Sequence, residues 1–182
     1  MNNPFILLDE STIKHSLNVA EIAVIIAESM GIDENLIYNA AIWHEIGKSK
    51  MLSIINKPGK LTKEEFAVVK MHPMYGFEII QKEYFGPYKK EVANVALCHH
   101  KRKDGSGYSE NVEVDQIDVL VQIIQIADIY EALTTKRTYK NTFAHDKAKN
   151  MILNGECGYF SNEVIRIFKA LIDNYYRLCN VM

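Results

Sequence analysis

The stretch Ile37-Tyr38-Asn39-Ala40-Ala41-Ile42-Trp43-His44-Glu45-Ile46-Gly47-Lys48 sets a histidine and a carboxylate side by side at the end of an apolar run. Ile37, Ala41 and His44 share one stripe of a helix, so His44 extends an apolar face rather than a solvated one. Asp33 is the expected N-cap, and Gly47 is expected to end or bend the helix. His44 and Glu45 can both bind a metal, and Lys48 can oppose the charge of a phosphate.

Working outward, the same pattern recurs. Upstream, Ser11 is the expected N-cap and Gly31 the C-terminal stop of a first helix. Its apolar stripes are Ile13, Leu17, Ala20, Val24, Ala27 and His15, Val19, Ile22, Ile26, so His15 points inward. Downstream, Lys57-Pro58-Gly59-Lys60 is a turn, and Thr62 with Glu65 forms a capping box. His72-Pro73 breaks that helix and restarts another, because proline is tolerated in a first turn but not inside a helix. A helix over about Tyr88 to His100 turns Val92, Val95, Ala96 and His99 inward. Lys101 to Tyr108 is charged, glycine-rich and aperiodic, so it is a loop. Asp115 is the expected cap of a long helix, with Asp118 in its first turn, and Ile117, Ile124 and Asp128 lie on its buried stripe. Phe143 to Leu153 and Ser161 to Leu178 are two further helices. No strand pattern, repeat or linker emerges, and the chain reads over residues 1–182 as one all-α bundle.

Composition narrows the function. The 182 residues are 48% hydrophobic and 24% charged, enough for a buried core and unlike a disordered chain. The formal charge of −2 advertises no polymeric nucleic-acid partner. No apolar run approaches the ~20 residues of a membrane span, and residues 1–10 carry no basic n-region. Three widely spaced cysteines fit free thiols in a cytoplasmic protein. Cys98 beside a His pair is read as a small buried hydrophobe.

His15, His44, Glu45, His72, His99, His100 and Asp128 carry the chemistry. One inward histidine is ordinarily a hydrogen-bonded core residue. A carboxylate within Leu120-Val121-Gln122-Ile123-Ile124-Gln125-Ile126-Ala127-Asp128 is costlier to bury, by several kcal/mol as an order of magnitude, unless a cation or a set of donors compensates. Five histidines and two carboxylates facing one bundle are explained most simply by a shared metal site. Imidazole with carboxylate suits Fe, Mn, Zn or Ni. The donors exceed one ion's needs, so two divalent ions bridged by a carboxylate fit better, iron or manganese first.

These residues resemble a known family. His44-Glu45 with Lys48 is similar to the HD-x-x-K signature of the HD phosphohydrolase superfamily. Lys57 to Thr62, Lys70-Met71-His72-Pro73, His99-His100 with Asp104-Gly105-Ser106-Gly107-Tyr108, and Ala127-Asp128 to Thr134 with Arg137 to Lys140 resemble its narrower HD-GYP branch. The match runs from about Lys14 to Phe168 with the motifs in order. The resemblance implies a helical domain that binds two or three metals and hydrolyses the bacterial messenger cyclic di-GMP. It implies His15, His44, Glu45, His72, His99, His100 and Asp128 as ligands, with Lys48 near the scissile phosphate. Arg137 and Lys140 would hold phosphate oxygens, and Asp104 to Tyr108 would form the loop that names the family. Three departures stand out. Glu45 replaces the aspartate and Ser109 the proline of the Gly-Tyr-Pro element. Ser11 occupies the position where some members place a further ligand glutamate, so two metals are expected rather than three. Lys101 and Thr138 also depart from the usual neighbours.

The expected activity is a phosphodiesterase in which two cations lower the pKa of a bound water. Lys48 offsets charge on the phosphoryl oxygens, and Glu45 bridges the ions. Bland readings accompany the others. Arg137 and Lys140 are also what a solvated helix end carries, Lys101 to Lys103 read as a charged loop, and Tyr108 either stacks on guanine or covers the core. His145, in an ordinary polar stretch, reads as a surface residue. The competing functions are a non-catalytic module that binds cyclic di-GMP or a protein, a phosphohydrolase of another nucleotide, and a purely structural bundle.

Overall fold

The computed structural model describes residues 4–109, 112–135 and 142–181. Helix α1 (Glu10–Glu28) packs on α2 (Glu34–Trp43), and a 3-10 turn (Ile46–Met51) follows. Short helices α3 (Leu52–Ile55) and α4 (Lys63–Val69) lead to α5 (His72–Glu83) and α6 (Lys89–Cys98). After the glycine loop come α7 (Val119–Thr134), α8 (His145–Leu153) and α9 (Asn162–Val181). No strand forms among the described residues; the loop carries an isolated bridge between Lys101 and Gly107.

Helix α7 is the axis of the bundle. Twelve of its sixteen residues are buried, which requires neighbours all round: α1, α2, α6, α8 and α9 all pack on it. On α1 the His15, Val19, Ile22, Ile26 stripe is buried, together with Ala20 and Ala27 of the neighbouring stripe. Leu17, assigned to that neighbouring stripe, is 36% exposed and lies at the edge of the inward face.

Several boundaries differ from the sequence reading. Asp9, not Ser11, caps α1 by accepting from the Thr12 amide, and Ser11 donates its hydroxyl to the same carboxylate. Asp118, not Asp115, caps α7 through the Val121 amide. Asp115 lies in a separate 3-10 turn (Val114–Gln116), because the chain breaks at Ile117 to bury that side chain fully. The Thr62–Glu65 capping box and Pro73 in the first turn of α5 form as the sequence indicated.

One contact fixes the geometry of the site. A Cβ on Gly47 would lie 1.9 Å from the His72 carbonyl oxygen. The absent side chain lets the turn that carries Lys48 press directly on the start of α5. Gly76, on the next turn of α5, faces the same seam.

Candidate metal centre

The centre is assembled from helix ends. His44 follows α2, His72 opens α5 and His99 follows α6. Each donates Nδ1–H to the carbonyl three residues back: His44 to Ala41 at 2.6 Å, His72 to Val69 at 2.8 Å and His99 to Ala96 at 2.9 Å. A carbonyl can only accept, so the proton sits on Nδ1 and the Nε2 lone pair is left for the interior. All three rings are fully buried. His15 comes from the middle of α1. Its Nδ1 lies 2.6 Å from Glu131 Oε2, and its Nε2 lies 3.2 Å from Asp128 Oδ1.

The donor atoms fall into two groups. Glu45, His72, His99 and His100 present ligand atoms within 4.8 Å of one another, and so do His15, His44 and Glu45. Glu45 belongs to both. It is 2% exposed, with Oε2 3.0 Å from His72 Nε2 and Oε1 3.7 Å from His15 Nε2. Asp128 adjoins the second group through His15.

The residues fit a metal. His72 Nε2 and His99 Nε2 lie 3.1 Å apart, yet both rings keep their proton on the far nitrogen. Two lone pairs meet at that distance favourably only around a shared cation. Two imidazoles ~2.1 Å from one ion at roughly a right angle stand about this far apart. His44 Nε2 and Glu45 Oε2 are buried without a hydrogen-bond partner, and each such group costs about 1–3 kcal/mol if left so.

The electrostatics favour the ligand forms. Burial pushes His44 and His99 down, and His100 to about 3, the last two helped by neighbouring imidazoles. Burial would raise the Glu45 carboxyl, but the Lys48 ammonium beside it holds it well below the usual range. Asp128 is likewise held low against burial by His15. His15 is the exception: burial opposes its charge, but Asp128 and Glu131 outweigh it and raise it to about 9.

Around this core stand the residues read as contacting substrate. The Lys48 ammonium donates to Glu45 Oε1 while its side chain stays 18% exposed. Tyr108 stacks on His100, ring centroids 4.3 Å apart at 25°. Its loop lies tight against the centre: a Cβ on Gly107, at φ +85°, would sit 1.9 Å from the His100 carbonyl oxygen. Asp104 is exposed and accepts from the amide and hydroxyl of Ser106, so it shapes the loop's own turn and is not among the clustered donors. Ser109 has φ +92°, a backbone conformation closed to the proline of the family element. Arg137 and Lys140 lie outside the described residues.

Two readings need correction. Lys101 to Lys103 is not a freely solvated run: all three are partly buried, Arg102 donates to the His99 carbonyl at 2.8 Å, and Lys103 donates to the Ile117 carbonyl at 3.0 Å. His145 is not a surface residue. It is 9% exposed, with Nδ1 2.8 Å from the Tyr130 hydroxyl and Nε2 2.8 Å from Asp173. Glu131 was missed. The available signal was its place one helical turn after Asp128, which puts both carboxylates on one face.

Comparison with known proteins agrees with this architecture. The HD domain family model matches residues 12–133. A cyclic di-GMP phosphodiesterase of Vibrio cholerae is 36% identical over 145 residues, 77% of this chain and 30% of that protein. A cyclic di-GMP phosphodiesterase of Thermotoga maritima is 34% identical over 177 residues, 93% of this chain and 48% of that protein. The chain thus spans less than half the length of these curated relatives. The HD domain of the Listeria monocytogenes phosphodiesterase PgpH superposes with a TM-score of 0.69 at 18% identity, covering 96% of both chains, and shows the shared fold. This chain belongs to the HD domain family, whose phosphohydrolases are metal-dependent.

Proposed function

We propose that the chain is the hydrolase module of a metal-dependent phosphodiesterase of the HD-GYP type, acting on cyclic di-GMP. The observation that carries this reading is that Glu45 belongs to both groups of buried donors. A carboxylate in that place suits a bridge between two divalent ions. His72, His99 and His100 would complete one side, and His15, His44 and Asp128 the other. Imidazole and carboxylate donors without thiolate favour iron or manganese, with zinc and nickel as further candidates.

Once bound, such ions supply Lewis acidity toward phosphate oxygens and a water ionised at neutral pH. The chain's own residues do the rest. Lys48, partly exposed and one turn from Glu45, offsets charge that grows on the phosphoryl oxygens. Tyr108 flanks His100 and offers a ring to a base or ribose. Arg137 and Lys140 follow α7 in sequence and supply cations for the second phosphate. Water adds to phosphorus, the bond to the 3′ oxygen breaks, and that oxygen takes up a proton. No described helix is long and apolar enough to cross a membrane, and the cytoplasm is the proposed place of action.

Glu45 in place of aspartate favours one rival, a receptor that binds the dinucleotide without turnover. Anaerobic loading with Fe(II) or Mn(II), followed by cyclic di-GMP and mass analysis of products, separates the two. Linear dinucleotide or mononucleotide is the expected outcome. Saturable binding with no product would replace the enzyme with the receptor. Cleavage of another cyclic dinucleotide in preference would correct the substrate.

A further inference from the structure

The four histidines of the centre with an assigned Nδ1 partner solve the same problem in two ways. His44, His72 and His99 stand at helix ends, where a carbonyl three residues back is open to the ring. His15 stands within the uninterrupted α1, whose carbonyls are committed to the helical ladder. It needs an acceptor from elsewhere, and α7 provides one. Glu131, 3% exposed, places Oε2 2.6 Å from His15 Nδ1, while Asp128 on the preceding turn places Oδ1 3.2 Å from His15 Nε2. One helix therefore meets both edges of the ring. The carboxylate is itself oriented, since Asn18, three residues after His15 on α1, donates to Glu131 Oε1 at 3.3 Å.

We propose that Glu131 is a positioning residue for the metal centre: it holds the His15 ring so that Nε2 faces the shared site, and Asn18 aims its carboxylate. This rests on the reading of the buried donors as a metal centre. A carboxylate behind a ligand imidazole fixes ring orientation and raises basicity at the opposite nitrogen. A buried Glu–His contact that served only packing would affect stability alone.

The test is Mn(II) titration of the folded apo-protein, followed by the loss of free-ion EPR signal, for the wild type, Glu131→Gln, Glu131→Ala, His15→Ala and the His15→Ala/Glu131→Ala double variant. Glu131→Ala is expected to weaken Mn(II) binding about 10- to 100-fold. Glu131→Gln keeps the volume and an acceptor for Nδ1–H but loses the charge, so its loss is expected to be smaller. In the His15→Ala background, removing Glu131 is expected to change affinity no further. Wild-type affinity in both Glu131 variants would overturn the proposal. So would an equal loss with and without His15, which would mean that Glu131 does not act through that ring. Should Glu131→Ala not fold, Glu131→Gln decides alone. A wild-type chain that binds no Mn(II) would sink the metal centre and this inference together, whereas tight wild-type binding with unaffected variants would sink only the role of Glu131.

Discussion

Two buried histidine sites share helix α7, and they are built on opposite principles. At the junction of α7, α8 and α9, His145 has both nitrogens met by protein: the Tyr130 hydroxyl on one and Asp173 on the other. Its ring stacks on Tyr176 at 4.2 Å, and Lys149 braces Asp173 at 2.7 Å. In the metal centre, His44, His72 and His99 have only Nδ1 met by a backbone acceptor. Their Nε2 atoms converge on Glu45 and on one another. Burial is similar in the two places and therefore does not separate a ligand from a core residue. The state of the second nitrogen does. His145 is satisfied on both sides and belongs to the fold, whereas His44, His72 and His99 are satisfied on one side and aimed at one another, an arrangement that suits a cation.

The sharpest way to break this comparison is to remove a ring from each site. His99→Ala should lower metal affinity by more than about 100-fold and abolish hydrolysis. The apo-protein should be no less stable, since a buried group with an awkward neighbour is gone. Metal content and thermal unfolding of the same sample check both halves. If the apo-protein lost about 1–3 kcal/mol instead, His99 would be a core residue of the His145 kind.

Lys48 sharpens the comparison from the side of substrate. Lys48→Met should leave the metal content unchanged and lower kcat by about 10²-fold, the cost of losing one donor aimed at developing charge. Steady-state kinetics with elemental analysis would show it. A loss of metal with no separate effect on kcat would place Lys48 in support of Glu45 alone.

The reciprocal experiment is smaller in effect. His145→Ala should reduce stability by about 1–3 kcal/mol in denaturant unfolding, because Tyr130 and Asp173 lose their partner. Metal stoichiometry and kcat should stay at wild-type values. The smallest expected effect is at the loop beside His100. Ser109→Gly should stabilise the protein by about 0.5–1 kcal/mol, because serine at φ +92° bears a cost that glycine does not. Ser109→Pro should disturb the loop, and near-UV spectra of the Tyr108 region would report it.

The candidate centre was legible in the sequence because its histidines fall on apolar stripes, and two of them also stand where a helix ends or restarts. His44 before Gly47, and His72 before Pro73, carry both. The bundle followed from the same periodicity. His145 was illegible because its neighbours Asp146 and Lys147 are polar, while the partners that bury it lie 15 and 28 residues away. Glu131 was hidden for a related reason. Helical spacing places it beside Asp128, but its role depends on α1, whose His15 is 116 residues away in the chain. The caps slipped for local reasons: Ser11 and Asp9 both suit the start of α1, and Asp115 and Asp118 both suit α7. The burial of Ile117, a tertiary fact, decided the second case.

The central claim is that one buried carboxylate, Glu45, is shared by two metal sites. Elemental analysis of protein loaded anaerobically with Mn(II) and then desalted tests it most directly, run on the wild type and on Glu45→Ala, with product analysis on cyclic di-GMP. Two metals per chain and a linear dinucleotide or mononucleotide product are expected for the wild type, and loss of both metals with loss of turnover in the variant. Folded wild-type protein that retains no metal, or a variant that keeps both ions, would contradict it.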